Sequence, residues 1–192
     1  MYDIIGDIHG QAYELERLLT KLGYRCIGDV YRHDTRQVIF LGDFIDRGPH
    51  QRRVLDIVRA MVAGGTALAV MGNHEFNAIA YHTPDGSGGH LRPRNAKNTH
   101  QHQAFLDEFA EKPDDWAEVI GWFKTLPLWL ELDGLRIIHA CWDPVQITRI
   151  YESYGESALL TDELLHQSAM RDTWQYTAVE TILKGKELQL PE

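Results

Sequence analysis

Cysteine is scarce in this chain: Cys26 and Cys141 stand far apart with no CxxC spacing, which excludes a zinc knuckle and a disulfide framework. A reducing compartment fits, and the protein is read as cytoplasmic. Positive charge is also short. Lys and Arg number 19 against 28 Asp and Glu, a formal net charge of -9, whereas general nucleic-acid binding rests on clustered Lys and Arg. No nucleic-acid partner is expected. Long apolar runs are missing too. Met1-Tyr2-Asp3-Ile4-Ile5 enters a strand-like segment without a basic leader, so neither a signal peptide nor a membrane span is expected. There is no internal repeat and no low-complexity tract. What is present is 192 residues, 44% of them hydrophobic and 24% charged, enough for one substantial core and read as a single domain over 1–192.

Three short apolar runs each end in glycine and polar residues: Asp3 to Gly6, Val38 to Gly42 and Ala67 to Gly72. Between them, Tyr13-Leu15-Leu18-Leu19-Leu22 and Val54-Leu55-Ile57-Val58-Met61-Val62 have helical spacing and close at Gly23 and Gly64-Gly65. The order β-α-β-α-β predicts right-handed crossovers, a largely parallel sheet and functional groups at the carboxyl ends of the strands. A helix is expected from Asn73 through Tyr81, then a polar surface segment from His82 to His102 that could serve as a lid or specificity loop. Phe105 to Phe109 and Trp116 to Phe123 read as amphipathic helices. Leu128 to Leu132 and Leu135 to His139, joined by Asp133-Gly134, read as a hairpin. The tail from Thr161 reads as mainly helical, ending in a polar stretch from Lys184 to Glu192.

The strand ends carry the chemistry. They present Asp7 and His9 from GDIHG, Asp43, Asp46 and Arg47 from GDFIDRG, Asn73 and His74 from GNHE, and His139 from IHA. Charges at the mouth of an apolar strand are costly unless something there needs them. In Asp7-x-His9 two side chains reach one face of an extended segment. Carboxylate, imidazole and amide oxygen together suit Mn, Fe, Zn or Mg rather than a soft copper site. Singly, each residue reads more simply as a turn former or helix cap. Jointly they read as a metal site.

Those four stretches, GDIHG, GDFIDRG, GNHE and IHA, resemble the calcineurin-like metallophosphoesterases, specifically the phosphoprotein phosphatase superfamily that includes bacterial symmetrical diadenosine tetraphosphatases. The resemblance covers roughly Met1 to Pro144. It implies an α/β fold, a sandwich of two mixed sheets flanked by helices, and hydrolysis of phosphoester or phosphoanhydride bonds through a metal-bound hydroxide. It implies two divalent ions, Mn first, with Fe, Zn, Mg or Co as others. Asp7 and His9 would hold the first metal, Asp43 would bridge, and Asn73 and His139 would hold the second. His74 would protonate the leaving oxygen, Asp46 would orient His74, and Arg47 would grip phosphate oxygens. A dinucleoside polyphosphate or a phosphorylated Ser or Thr would be the substrate, with a slight lean to a small nucleotide.

One element of the family pattern does not appear. A further histidine, often in a Gly-His pair, normally comes from the C-terminal part, and the only histidine after His139 is His166, in a helical-looking stretch. Either the chain is cut short of that ligand and its last strands, or the second metal site is weak; the polar ending favours the former. A non-catalytic metal- or phosphate-binding module or regulatory subunit is the rival reading. Glu75 caps or pairs nearby, Cys141 reads as an inert thiol, and Trp116, Trp122, Phe123 and Trp129 read as core. His82, His90, His100 and His102, with Arg92, Arg94 and Lys97, divide evenly between a substrate-facing and a solvated loop. Oligomeric state is left open.

Overall fold

A computed structural model of the chain describes residues 1–155 and 158–186. Its first half runs β1 (Tyr2–Ile5), α1 (Ala12–Lys21), β2 (Arg25–Ile27), β3 (Val30–Arg32), β4 (Gln37–Phe40), α2 (Gln51–Ala63), β5 (Ala67–Ala69) and α3 (Asn73–His82). Strands β1, β4 and β5 form a parallel sheet in the order β1-β4-β5. Ile4 pairs with Ile39, and Ile39 in turn with Leu68. The middle strand explains its own composition. Val38, Ile39 and Phe40 are all fully buried, as a strand covered on both faces must be.

One face is covered by α1 and α2, which bury Leu15, Leu19, Val54, Leu55, Ile57, Val58 and Met61. The second half begins with α4 (Ala96–Gln101), α5 (Gln103–Phe109) and α6 (Pro113–Phe123). The antiparallel hairpin of β6 (Trp129–Leu132) and β7 (Leu135–Ile138) follows. Ile137 meets Ile39 and Val70 in a small apolar cluster on the other face of the parallel sheet, with Leu41, Leu68 and Leu130 packed around it. This is the expected α/β sandwich with its flanking helices, although parallel and antiparallel pairings fall in separate sheets. The chain continues through α7 (Pro144–Tyr154), α8 (Asp162–Ser168) and α9 (Trp174–Lys184). Residues 187–192 of the polar ending lie outside the described residues.

Three local features depart from the sequence reading. The antiparallel pair β2 and β3 turns at Gly28 and Asp29, both at positive φ; its strands are too short and polar to show a period. Helix α7 starts where Asp143 accepts hydrogen bonds from the N–H groups of Val145 and Gln146, a side-chain cap followed by proline at the first helical position. The 82–102 segment is not loop throughout. Asn95 caps α4 by accepting from Asn98 N, so its last third is helical. The aromatic set does serve the core: Phe123 and Trp129 are buried, and Trp116 and Trp122 pack against it.

Candidate metal centre and its cleft

The loops after β1, β4 and β5 are bonded into one floor. Ile8 and His9 both donate their N–H groups to Asp43 O at 2.9 Å, Gly10 donates to Phe44 O at 2.8 Å, and Gly48 donates to His9 O at 2.8 Å. This packing forces unusual backbone. His9, Asp43, Asp46 and Arg47 have φ of 46°, 53°, 69° and 67°, the left-handed region that non-glycine residues occupy at some cost. Two glycines let the second and third strand ends approach closely. At Gly42, φ 91°, a Cβ would overlap the backbone of Gly72, and at Gly72 one would overlap Asp43 Oδ1 and N. The glycines before the two functional residues are therefore there because the strand ends touch.

Asp43 sits at the centre. Its Oδ1 accepts from His74 N at 3.0 Å. Its Oδ2 faces three imidazole nitrogens, His9 Nε2 at 3.6 Å, His139 Nε2 at 3.7 Å and His74 Nε2 at 3.9 Å. These separations exceed hydrogen-bond length. For His9 and His139 they suit atoms that share a cation with Asp43 at about 2.0–2.2 Å from each, with His74 Nε2 as a neighbour of the same oxygen. Two overlapping groups result, His9 with Asp43 and His74, and Asp7 with Asp43 and His139.

The tautomers agree with that arrangement. His9 Nδ1 lies 2.8 Å from Ile45 O; a carbonyl only accepts, so Nδ1 carries the proton and Nε2 is a bare lone pair. That Nε2 is buried with no hydrogen-bond partner, and Asp7 Oδ2 is 3.7 Å away. His139 repeats the pattern. Its Nδ1 is 2.6 Å from Leu41 O, and its Nε2 is 3.1 Å from Asn73 Oδ1. Lone pairs facing oxygen lone pairs call for a cation between them, and a backbone carbonyl behind each imidazole is the usual way to orient a metal-binding histidine. The residues present fit divalent metal.

Beside this centre, His74 Nδ1 is 2.6 Å from Asp46 Oδ2. Burial lowers the His74 pKa, but the Asp46 hydrogen bond and the charges of Asp43, Asp46 and Glu75 outweigh it, leaving the imidazole raised. Asp46 is pushed up by burial and pulled down further by hydrogen bonds from His102 and His74, ending below the usual carboxylate range. Glu75 is buried and accepts from the N–H groups of Asp43, Phe44 and Gly72 at 2.8–3.0 Å. Burial and the nearby Asp43 charge carry it up to about 7 against those three donors. It ties the second and third strand ends together.

Above the floor opens a cleft of about 970 Å³, lined by Asp46, Arg47, Asn73 and His74 on one side and by Arg92, Lys97, His100, Arg171, Tyr176 and Lys184 on the other. Part of the 82–102 segment thus faces the site. Arg47 is exposed at the rim, and Asp46 spends both carboxylate oxygens on histidines rather than on Arg47. The structure brings Asp7, His9, Asp43, Asn73, His74 and His139 together, with Asp46 and Arg47 adjoining. His166 stays apart on α8, its Nδ1 bonded to Asp162 O. Sequence reasoning left His102 among four loop histidines; its one distinguishing signal is the apolar helix that begins directly after it.

The calcineurin-like phosphoesterase family matches residues 2–188, and the chain belongs to it. Its relatives include asymmetrical bis(5'-nucleosyl)-tetraphosphatases PrpE of Halalkalibacterium halodurans, 49% identical over 72% of this chain and 56% of that protein, and of Anoxybacillus flavithermus, 47% identical over 73% and 56%. The chain therefore spans little more than half the length of these relatives. Among solved structures, a cold-active protein-tyrosine phosphatase of a psychrophilic Shewanella superposes with a TM-score of 0.54 over 90% of this chain and 55% of that one, at 20% identity. That likeness is one of fold.

Proposed function

We propose that this member of the calcineurin-like phosphoesterase family hydrolyses a phosphoanhydride or phosphoester bond of a small nucleotide, a dinucleoside polyphosphate being the favoured class. The observation that carries the reading is Asp43 Oδ2 among three imidazole nitrogens beneath a cation-lined cleft. Asp7 and His9 would hold one divalent ion, Asn73 and His139 another, with Asp43 between them; manganese is proposed first, with Fe, Zn, Mg or Co able to use the same donors. Such ions, when bound, supply an activated water and neutralise charge on the phosphoryl group.

The chain's own residues do the rest. Arg47 at the rim offers its planar fork to phosphate oxygens. Asp46 holds the proton of His74 on Nδ1, which leaves Nε2 toward the cleft to donate to the leaving oxygen once that imidazole is protonated. Arg92, Lys97, Arg171 and Lys184 line the opposite wall, where a chain of phosphates extending from the reacting one would lie. The names of the relatives support this substrate class, and the cationic side chains of the wall support it independently of them.

A manganese-supplemented assay of the chain compares diadenosine tetraphosphate with a phosphoserine peptide. Faster turnover of the tetraphosphate is expected. Preference for the peptide would replace the nucleotide reading, and manganese binding without turnover of either would favour a non-catalytic metal- or phosphate-binding module.

A further inference from the structure

Asp46 carries a second imidazole that the chemistry above does not use. His102 Nδ1 lies 2.8 Å from Asp46 Oδ1, while His74 Nδ1 lies 2.6 Å from Oδ2. Behind His102, its Nε2 is 3.2 Å from His82 Nε2. Four side chains drawn from three parts of the chain thus form one line, His82, His102, Asp46 and His74. We propose that His102, backed by His82, is a positioning residue for leaving-group protonation: it fixes the Asp46 carboxylate so that Oδ2 orients His74. This rests on the reading of His74 as the proton donor.

The geometry fixes one proton. A carboxylate only accepts, so His102 donates to Asp46 from Nδ1, and the His102 Nε2–His82 Nε2 contact takes a single proton from either ring. His82 Nδ1 is buried without a hydrogen-bond partner. His102 is itself held tightly. Its ring stacks on Phe105 at 4.7 Å and 13°, and its N–H bonds Asn98 O and Thr99 O where α4 meets α5. His82 is wedged edge-on against Trp116 at 3.8 Å. A rigid imidazole on Oδ1 removes the one rotation by which Asp46, three residues from Asp43, could turn Oδ2 away from His74. The Asp46 backbone is fixed as well, donating to Gln51 Oε1 at 2.7 Å.

The role predicts a dependence on leaving group that packing alone would not produce. A nitrophenolate leaves without a proton, whereas an alkoxide needs one. His102→Phe keeps the stack on Phe105 and removes the donor; His102→Asn places an amide N–H near the position of Nδ1. In the manganese-loaded chain, His102→Phe is expected to lower kcat about tenfold for an alkyl phosphate and less than about twofold for p-nitrophenyl phosphate, with KM and bound manganese unchanged. His102→Asn should recover most of the loss. In a His74→Asn background, His102→Phe should cost nothing further, because it acts through His74.

Equal losses on both substrates, no loss on either, or an additional loss in the His74→Asn background would overturn the assignment and leave His102 a packing residue. The single variant His74→Asn separates the two levels. If it shows no leaving-group dependence, the proton-donor reading fails and takes this inference with it; if it shows the dependence and His102→Phe does not, only the role of His102 fails.

Discussion

In the floor of the cleft, between Gly6 and Glu75, the backbone does the positioning. Asp43 O accepts two N–H groups from the first loop, Glu75 accepts three from the second and third, and a Cβ on Gly42 or Gly72 would collide with the opposite strand end. In the wall, between Arg92 and Asp107 and again between Arg171 and Lys184, side chains do it. Lys97 and Arg171 are exposed and make no ion pair among the described residues, and the Arg92 guanidinium donates to the amide oxygens of Asn77 and Gln101. A floor of that kind fixes what reaction is run. A wall of long, hydrated cations is free to set which phosphate chain is accepted. His102 is the exception, a wall residue bonded into the floor through Asp46 and backed by His82.

The comparison breaks most visibly at Asp43. Asp43→Asn is expected to cost at least about 10³-fold in manganese-supported hydrolysis of an aryl phosphate, ~4 kcal/mol of transition-state stabilisation; steady-state rates check it, and a variant within tenfold of the parent would refute the floor's role. Next comes Gly72→Ala. Gly72 has φ -96°, so it is the collision with Asp43 and with Glu75 Oε2, not the backbone, that opposes a side chain, and we expect a stability loss of about 3 kcal/mol by urea unfolding together with lost activity. If the variant is as stable as the parent, the strand ends are not in the contact described.

The wall should respond differently. Lys97→Ala and Arg171→Ala are each expected to raise KM for diadenosine tetraphosphate about tenfold, ~1.4 kcal/mol, while leaving p-nitrophenyl phosphate untouched. Equal effects on both substrates would erase the division between wall and floor. The smallest effect is on stability against pH. Burial, reinforced by His102, Arg94 and His90, lowers the His82 pKa from 6.5 to about 3, so the unfolded chain takes up a proton below pH 6.5 that the folded chain refuses. The resulting destabilisation is absent above 6.5 and grows as pH falls toward 3. Discounted for partial exposure, it amounts to about 1 kcal/mol at pH 5. Urea midpoints at pH 7.5 and 5 should therefore converge more closely in His82→Phe than in the parent.

Much of the floor was legible in the sequence because each part is encoded locally. An apolar run ending in glycine marks a strand edge, and the alternation Asp7-x-His9 marks a shared face. His139 lies far along the chain, yet it closes an apolar strand whose Asp-Gly turn announces a hairpin. The wall was not legible in the same way. His102 reaches Asp46 across 56 residues, and in a polar segment of Gly, Asn, His and Arg the helix that follows it is the single local sign that it turns inward. The β2–β3 hairpin escaped for a related reason: three-residue strands are too short to carry a period. Glu75 was seen as a cap but not as the clamp of two loops, since its partners Asp43 and Phe44 are tertiary.

The central claim is that Asp43 gathers the strand ends around divalent metal. Manganese titration of the chain by calorimetry, beside Asp43→Asn and Asp46→Asn, tests it without reference to any substrate. Binding by the parent and by Asp46→Asn, and its loss in Asp43→Asn, is the predicted result. Manganese bound equally well by Asp43→Asn would contradict it.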